Sequence, residues 1–154
     1  MQQYNPFVSQ FYHAAEADHL LPEVATVVSR LRDQRAEIVG LRDAYLARRG
    51  RAADDPLEDE AGSGGDDPEL RRIRLRIRGI VDQMQADVAW LDERGIVLRD
   101  IATGLLDFPA RAEGRHVWLC WRLGEDRVGW WHDASSGFDG RQPLDTLPGA
   151  TRGH

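Results

Sequence analysis

The feature that most constrains the fold is an apolar step of three or four residues through Leu70, Ile73, Ile77, Ile80, Met84, Val88 and Leu91. Residues repeated at that spacing fall on one side of a helix, which turns once every ~3.6 residues. Inside this window the run Arg72-Ile73-Arg74-Leu75-Arg76-Ile77-Arg78 alternates with the period of a strand, and the longer pattern outweighs it. The spacing predicts a helix of about six turns that opens near Pro68, with Asp67 as its cap, and stops at Gly95. A second stripe through Val24, Val27, Val28, Leu31, Ile38, Leu41 and Tyr45 predicts a helix from about Ala14 to Gly50, kinked or freshly started at Pro22. Between the two, residues 51–67 carry repelling acids (Asp54, Asp55, Glu58, Asp59, Glu60, Asp66, Asp67) and Gly62-Ser63-Gly64-Gly65, the composition of a flexible linker. Two long helices joined in this way predict an antiparallel hairpin.

After Gly95 the period changes. Residues 96–98, 105–108 (stopped by Pro109), 116–123 and 128–132 read as short strands, the last pair joined by Gly124-Glu125-Asp126-Arg127. The whole predicts a single α+β domain: a helical hairpin, residues 14–50 and 68–95, packed on a small antiparallel β-meander, residues 96–144, with a frayed tail over 145–154. An even loop would set Leu123 opposite Val128, Trp121 opposite Trp130 and Leu119 opposite His132 on one face, with Cys120 opposite Trp131 and Trp118 opposite Asp133 on the other. The first face is nearly all apolar and is expected against the helices. The second, with Trp118, Arg122 and Trp131 and with Arg141 beyond it, is expected to be a ligand or partner surface.

Composition narrows the class. With 154 residues and 42% hydrophobic content the chain can bury a core. No apolar run reaches the ~18 residues of a membrane span, and the N-terminus does not read as a secretory signal. Cys120 is the single cysteine, which fits a reducing compartment, so a cytoplasmic location is expected. The net charge of −6 argues against nucleic acid as a partner. All 20 basic residues are arginine, the mark of a GC-rich coding preference, which lowers the functional weight of the arginine cluster at the hairpin tip.

Asp107, Glu125 and His132 are donor types that suit a hard or borderline cation, although no metal motif links them. His132, Asp133 and Cys120 are the candidates for acid–base or nucleophilic chemistry. Against these stand plainer roles: His132 as a hydrogen-bonded cap of the apolar face, and Cys120 as a small core residue. No cofactor is implied. Apolar residues off the main helical stripes, Leu75 and Trp90, predict a homodimer through the helices.

At Thr103-Gly104-Leu105-Leu106-Asp107-Phe108-Pro109-Ala110, at Leu119-Cys120-Trp121-Arg122-Leu123-Gly124-Glu125, at Trp130-Trp131-His132-Asp133 and at Gly137-Phe138-Asp139-Gly140-Arg141-Gln142-Pro143-Leu144, the chain resembles an uncharacterised bacterial family, domain-of-unknown-function family 2203. Glu16-Ala17-Asp18-His19-Leu20-Leu21-Pro22-Glu23-Val24 is similar to that family's opening motif, with Asp18 where Asn is usual. The resemblance implies a shared fold and cytoplasmic residence and carries no activity. Two functions are therefore expected in contention. One is a non-catalytic protein that binds a small ligand or a partner on the Trp-rich meander. The other is a small metal-assisted or acid–base enzyme with a carboxylate/His site on the same meander.

Overall fold

A computed structural model of the chain describes residues 10–53, 67–135 and 140–149. Most of the expected linker (54–66), residues 136–139 of the loop after Asp133, and residues 150–154 of the expected tail lie outside the described residues. The fold is α+β: two long helices, α1 (Ala14–Ala53) and α2 (Pro68–Glu93), and a five-stranded sheet. The strands are β1 (Val97–Asp100), β2 (Leu105–Ala112), β3 (Arg115–Arg122), β4 (Trp130–Asp133) and β5 (Gln142–Pro143). Each pairs antiparallel with the next in sequence, which makes the sheet a meander. No helix among the described residues is long and apolar enough to cross a membrane.

The chain divides into two compact units, Asp33–Ala86 and the rest. Among its described residues the first is helical, apart from Asp67 just before α2. Asp67 caps α2 as expected, its Oδ1 accepting the Glu69 N–H at 2.9 Å. Ion pairs join Glu37 to Arg76 and Arg48 to Asp67, so the two helices run antiparallel. Its apolar stripe is thin. Leu70, Ile73 and Ile80 are buried, Ile38, Leu41, Tyr45 and Ile77 are half-buried, and Val39, Leu46, Leu75 and Val81 are exposed.

The other unit holds the sheet with the adjoining ends of both helices. Val24, Val28 and Leu31 of α1, Leu91 of α2, and Leu106, Phe108, Val117, Leu119, Trp121 and Trp131 of the sheet make its core. Each such side chain removed from water contributes roughly 1.5–3 kcal/mol before the entropy of ordering is charged against it. α1 is continuous across Pro22, so of the kink or fresh start expected there the fresh start does not occur.

β2 passes through Pro109, where a stop was expected. In an antiparallel strand a residue's N and C=O point to the same neighbour. The Pro109 carbonyl accepts the Tyr12 N–H at 2.8 Å, so its nitrogen also faces away from β3 and no ladder bond to β3 is lost. A two-residue turn at Glu113-Gly114, both with positive φ (51° and 78°), then joins β2 to β3.

The largest correction concerns β4. Cys120 pairs with Trp130, Leu119 with Trp131, Trp118 with His132 and Val117 with Asp133, one residue away from the register expected of an even loop. Leu123 to Gly129 form an odd connection. The reason lies outside the hairpin: the N–H of the buried Val128 donates to Asp18 Oδ1 of α1 at 2.8 Å. Held there, Val128 is unavailable to β3. A one-residue slip transfers every side chain of a strand to the opposite face. Trp131 therefore lies on the core face, 4% exposed, its Nε1 donating to Thr146 Oγ1. Trp130 and His132 move to the outer face.

Candidate functional site

The outer face of the sheet is built from alternate residues. β2 gives Asp107, Pro109 and Arg111, β3 gives His116, Trp118, Cys120 and Arg122, and β4 gives Trp130 and His132. β1 adds Arg99 through an irregularity in register. Leu98 pairs with Leu106 and Asp100 with Leu105, so Arg99 is the extra residue of a bulge. Bulges re-aim side chains, and this one sends Arg99 Nε to Asp107 Oδ2 at 2.8 Å.

Asp107 is the centre of the arrangement. It is opposite Cys120 in the ladder and is 1% exposed. Its Oδ2 also lies 2.9 Å from His132 Nε2, while its Oδ1 has no hydrogen-bond partner among the described residues. His132 Nδ1 is 2.9 Å from the backbone carbonyl of Asp133. A carbonyl can only accept, so Nδ1 carries the hydrogen. Nε2 and Oδ2 would then face each other as two acceptors unless a proton or another cation lies between them. The third member is Cys120. Burial first, and then the negative charge of Asp107, push its thiol up to about 12, with Arg141 pulling the other way. One donor atom from each of Asp107, Cys120 and His132 lies within 4.8 Å of the others, and all three residues are buried.

Half-buried aromatics and guanidinium groups surround this cluster. Arg99 lies over Trp118 at 5.0 Å and Arg141 over Trp130 at 4.6 Å. Such stacks contribute about 0.5–2 kcal/mol and hold the guanidinium plane in place. Arg141 donates to both oxygens of Glu125 at 2.7 Å, and Glu125 Oε1 also accepts the Arg122 N–H. His116 sits edge-on to Phe11 and tilted against Trp118 at 4.5 Å, and burial, then Arg111, hold its imidazole below the ordinary range.

The candidates named from sequence thus separate. Asp107 and His132 come together, and Cys120 joins them where Glu125 was expected to. Glu125 pairs instead with Arg141. Asp133 lies on the other face, bound to Arg115 at 3.1 Å. Asp133 is therefore separated from Cys120 and His132, the other two residues expected for acid–base or nucleophilic chemistry. Of the expected surface residues, Trp118 and Arg122 stay on the outer face, Arg141 adjoins it, and Trp131 leaves it. Arg99 was not singled out from sequence. Its role depends on a bulge that no turn residue announces.

The family model described as "Uncharacterized conserved protein (DUF2203)" matches residues 10–144. The chain belongs to this family. The match covers both helices and all five strands, so the cluster lies within the family's own domain. No curated protein and no solved structure matches the chain.

Proposed function

We propose that the protein is a non-catalytic binding protein of the cytoplasm that takes a small anionic ligand, a carboxylate or phosphate, on the outer face of its meander. The observation that carries this reading is the state of Arg99. Its Nε is committed to buried Asp107 and its plane is stacked with Trp118, yet its side chain is 42% exposed. Its two Nη groups make no hydrogen bond among the described residues, which leaves a preoriented fork of donors for an oxyanion. Arg111 and Arg122 are exposed on the same face, so a chain of net charge −6 keeps locally positive surface there. Burial, first among the causes, pushes the Cys120 thiol up to about 12 and keeps it protonated at neutral pH, which speaks against a cysteine nucleophile.

The test is a titration of intrinsic tryptophan fluorescence with inorganic phosphate and, separately, with succinate. Trp118, beside Arg99, is expected to report saturable binding by one of them. Arg99→Gln is expected to weaken it about tenfold or more, the usual loss when one charge-assisted contact is removed. No saturable response to either anion up to about 10 mM would reject the reading. The same proposal includes a homodimer through the helical unit, supported by Val39 and Leu46 exposed two turns apart on α1 and by Leu75 and Val81 exposed on α2. Light scattering at micromolar concentration is expected to give twice the chain mass, falling to the monomer in Leu46→Glu.

A further inference from the structure

We propose that Asp107, Cys120 and His132 bind one divalent transition-metal ion of the zinc class beneath the outer face of the sheet. This does not rest on the anionic-ligand reading, since the ion would occupy the buried base of the face whether or not a ligand sits above it.

Three independent features of the site point to a cation. The first is the donor set: nitrogen, sulfur and carboxylate oxygen, one from each residue, within 4.8 Å of one another. Around a tetrahedral zinc ion, bonds of about 2.0–2.3 Å separate neighbouring ligand atoms by roughly 3.3–3.8 Å. The set is therefore already near the required spacing, with three strands of one sheet holding it. Calcium and magnesium take oxygen ligands and would leave the sulfur and nitrogen unused. The second is the orientation of His132. Its Nδ1–H is spent on the Asp133 carbonyl, the outer contact that ligating histidines ordinarily make, and this fixes the tautomer whose Nε2 lone pair is free to bind. Nε2 lies 2.9 Å from Oδ2 of Asp107, so the ring nitrogen and the carboxylate already face the same point.

The third is Asp107 Oδ1, a carboxylate oxygen without a hydrogen-bond partner among the described residues, on a side chain only 2% exposed. An unpaired carboxylate oxygen at that depth costs free energy, and an ion would satisfy it. Arg99 keeps Oδ2, so Oδ1 is the oxygen left for the ion, with Nε2 moving from Oδ2 onto the metal. The charges then balance in a buried place. One dication meets one thiolate, one carboxylate and one neutral imidazole, for a formal sum of zero. Loading displaces the proton of Sγ of Cys120, because the thiolate is the ligand. Ion affinity therefore rises with pH.

The experiment uses the full chain stripped with a chelator and titrated with Co²⁺ as a spectroscopic stand-in for zinc. The expected result is one equivalent bound per chain, with a thiolate-to-cobalt charge-transfer band and the strong visible bands of low coordination number. Cys120→Ser should abolish the charge-transfer band. It should also weaken cobalt by about 100-fold or more, since losing a ligand must exceed the 10–100-fold cost of losing an outer partner. Zinc should raise the thermal midpoint of the wild-type chain and leave that of Cys120→Ser unmoved. His132→Gln provides a second variant should the first fail to fold. Folded, stripped protein that binds less than one equivalent of cobalt overturns the proposal, as does a charge-transfer band that survives Cys120→Ser. In those cases Asp107, His132 and Arg99 are a hydrogen-bonded core element with a thiol beside it. Phosphate and succinate titrations of the same metal-free protein report on the ligand reading separately, so failure of one is distinguishable from failure of the other.

Discussion

Replacing Gly104 with alanine should damage this fold far more than the same change at Gly114, although both glycines have positive φ. Gly104 lies at φ 70° just before β2, and its carbonyl accepts the Leu123 N–H at 3.1 Å. A Cβ built on it would stand 2.6 Å from Leu123 Cβ and 3.0 Å from Val28 Cγ1. Leu123 Cβ is fixed to the backbone and cannot swing aside. Gly114, at φ 78° in the tight turn before β3, has nothing within 4 Å of the same position. Both substitutions pay about 1–2 kcal/mol for placing a Cβ in the left-handed region. Both recover about 0.4–1 kcal/mol because alanine restricts the unfolded chain. Only Gly104→Ala adds the cost of overpacking, typically about 1–3 kcal/mol. The expected losses are about 3 kcal/mol at Gly104 and about 1 kcal/mol or less at Gly114. With a urea slope of about 1–3 kcal/mol per molar, the difference separates the two midpoints by about 1 M. Urea unfolding followed by tryptophan fluorescence and by circular dichroism, at unchanged slope, measures it directly. Equal losses in the two variants would refute the reasoning, because backbone conformation alone would then account for both glycines.

Two further outcomes test how the sheet is held. Asp18→Ala removes the acceptor of the Val128 N–H beside a buried side chain and should cost about 1–3 kcal/mol, whereas Asp18→Asn keeps an acceptor oxygen and should cost under about 1 kcal/mol; urea midpoints of the pair decide it, and an asparagine variant as weak as the alanine one would show that the bond is not what matters. His116 resists protonation in the folded state, through burial and then Arg111, while the unfolded chain takes up that proton at the ordinary imidazole value. The unfolded state therefore binds more protons as pH falls below about 6.5, and stability drops over that range. His116→Phe should flatten part of the fall in urea midpoint between about pH 7.5 and about pH 5.5, and a slope identical to that of the wild-type chain would remove His116 as a source.

The helices were legible because their evidence is periodic and long. Ile73 and Ile80 point inward whatever the local alternation from Arg72 to Arg78 suggests, since a helix averages its signal over many turns. The strands were legible as strands, and β3 kept its faces, because Val117, Leu119 and Trp121 are apolar at every second position. The ends were not. β2 was cut at Pro109 because the sequence does not say which neighbour the missing N–H would have faced. The turn at Glu113-Gly114 escaped notice because glutamate is an unusual occupant of a left-handed position.

The site was less legible than the fold, and for one physical reason. Whether His132 shares a face with Cys120 depends on the parity of the connection between β3 and β4, and the Val128 N–H of that connection bonds to a helix far away in sequence instead of joining the ladder. An even loop would have kept Trp131 on the outer face and placed His132 among the core residues Leu119 and Trp121. The odd one buries Trp131 and turns His132 toward Asp107. Every candidate residue was present in the sequence, yet grouping them required knowledge of a contact between α1 and the loop. Asp18, which carries no site chemistry itself, thereby helps to hold the register in which these side chains meet. Its substitution by alanine should therefore disturb cobalt binding as well as stability, in proportion to how far the parity of β4 is released.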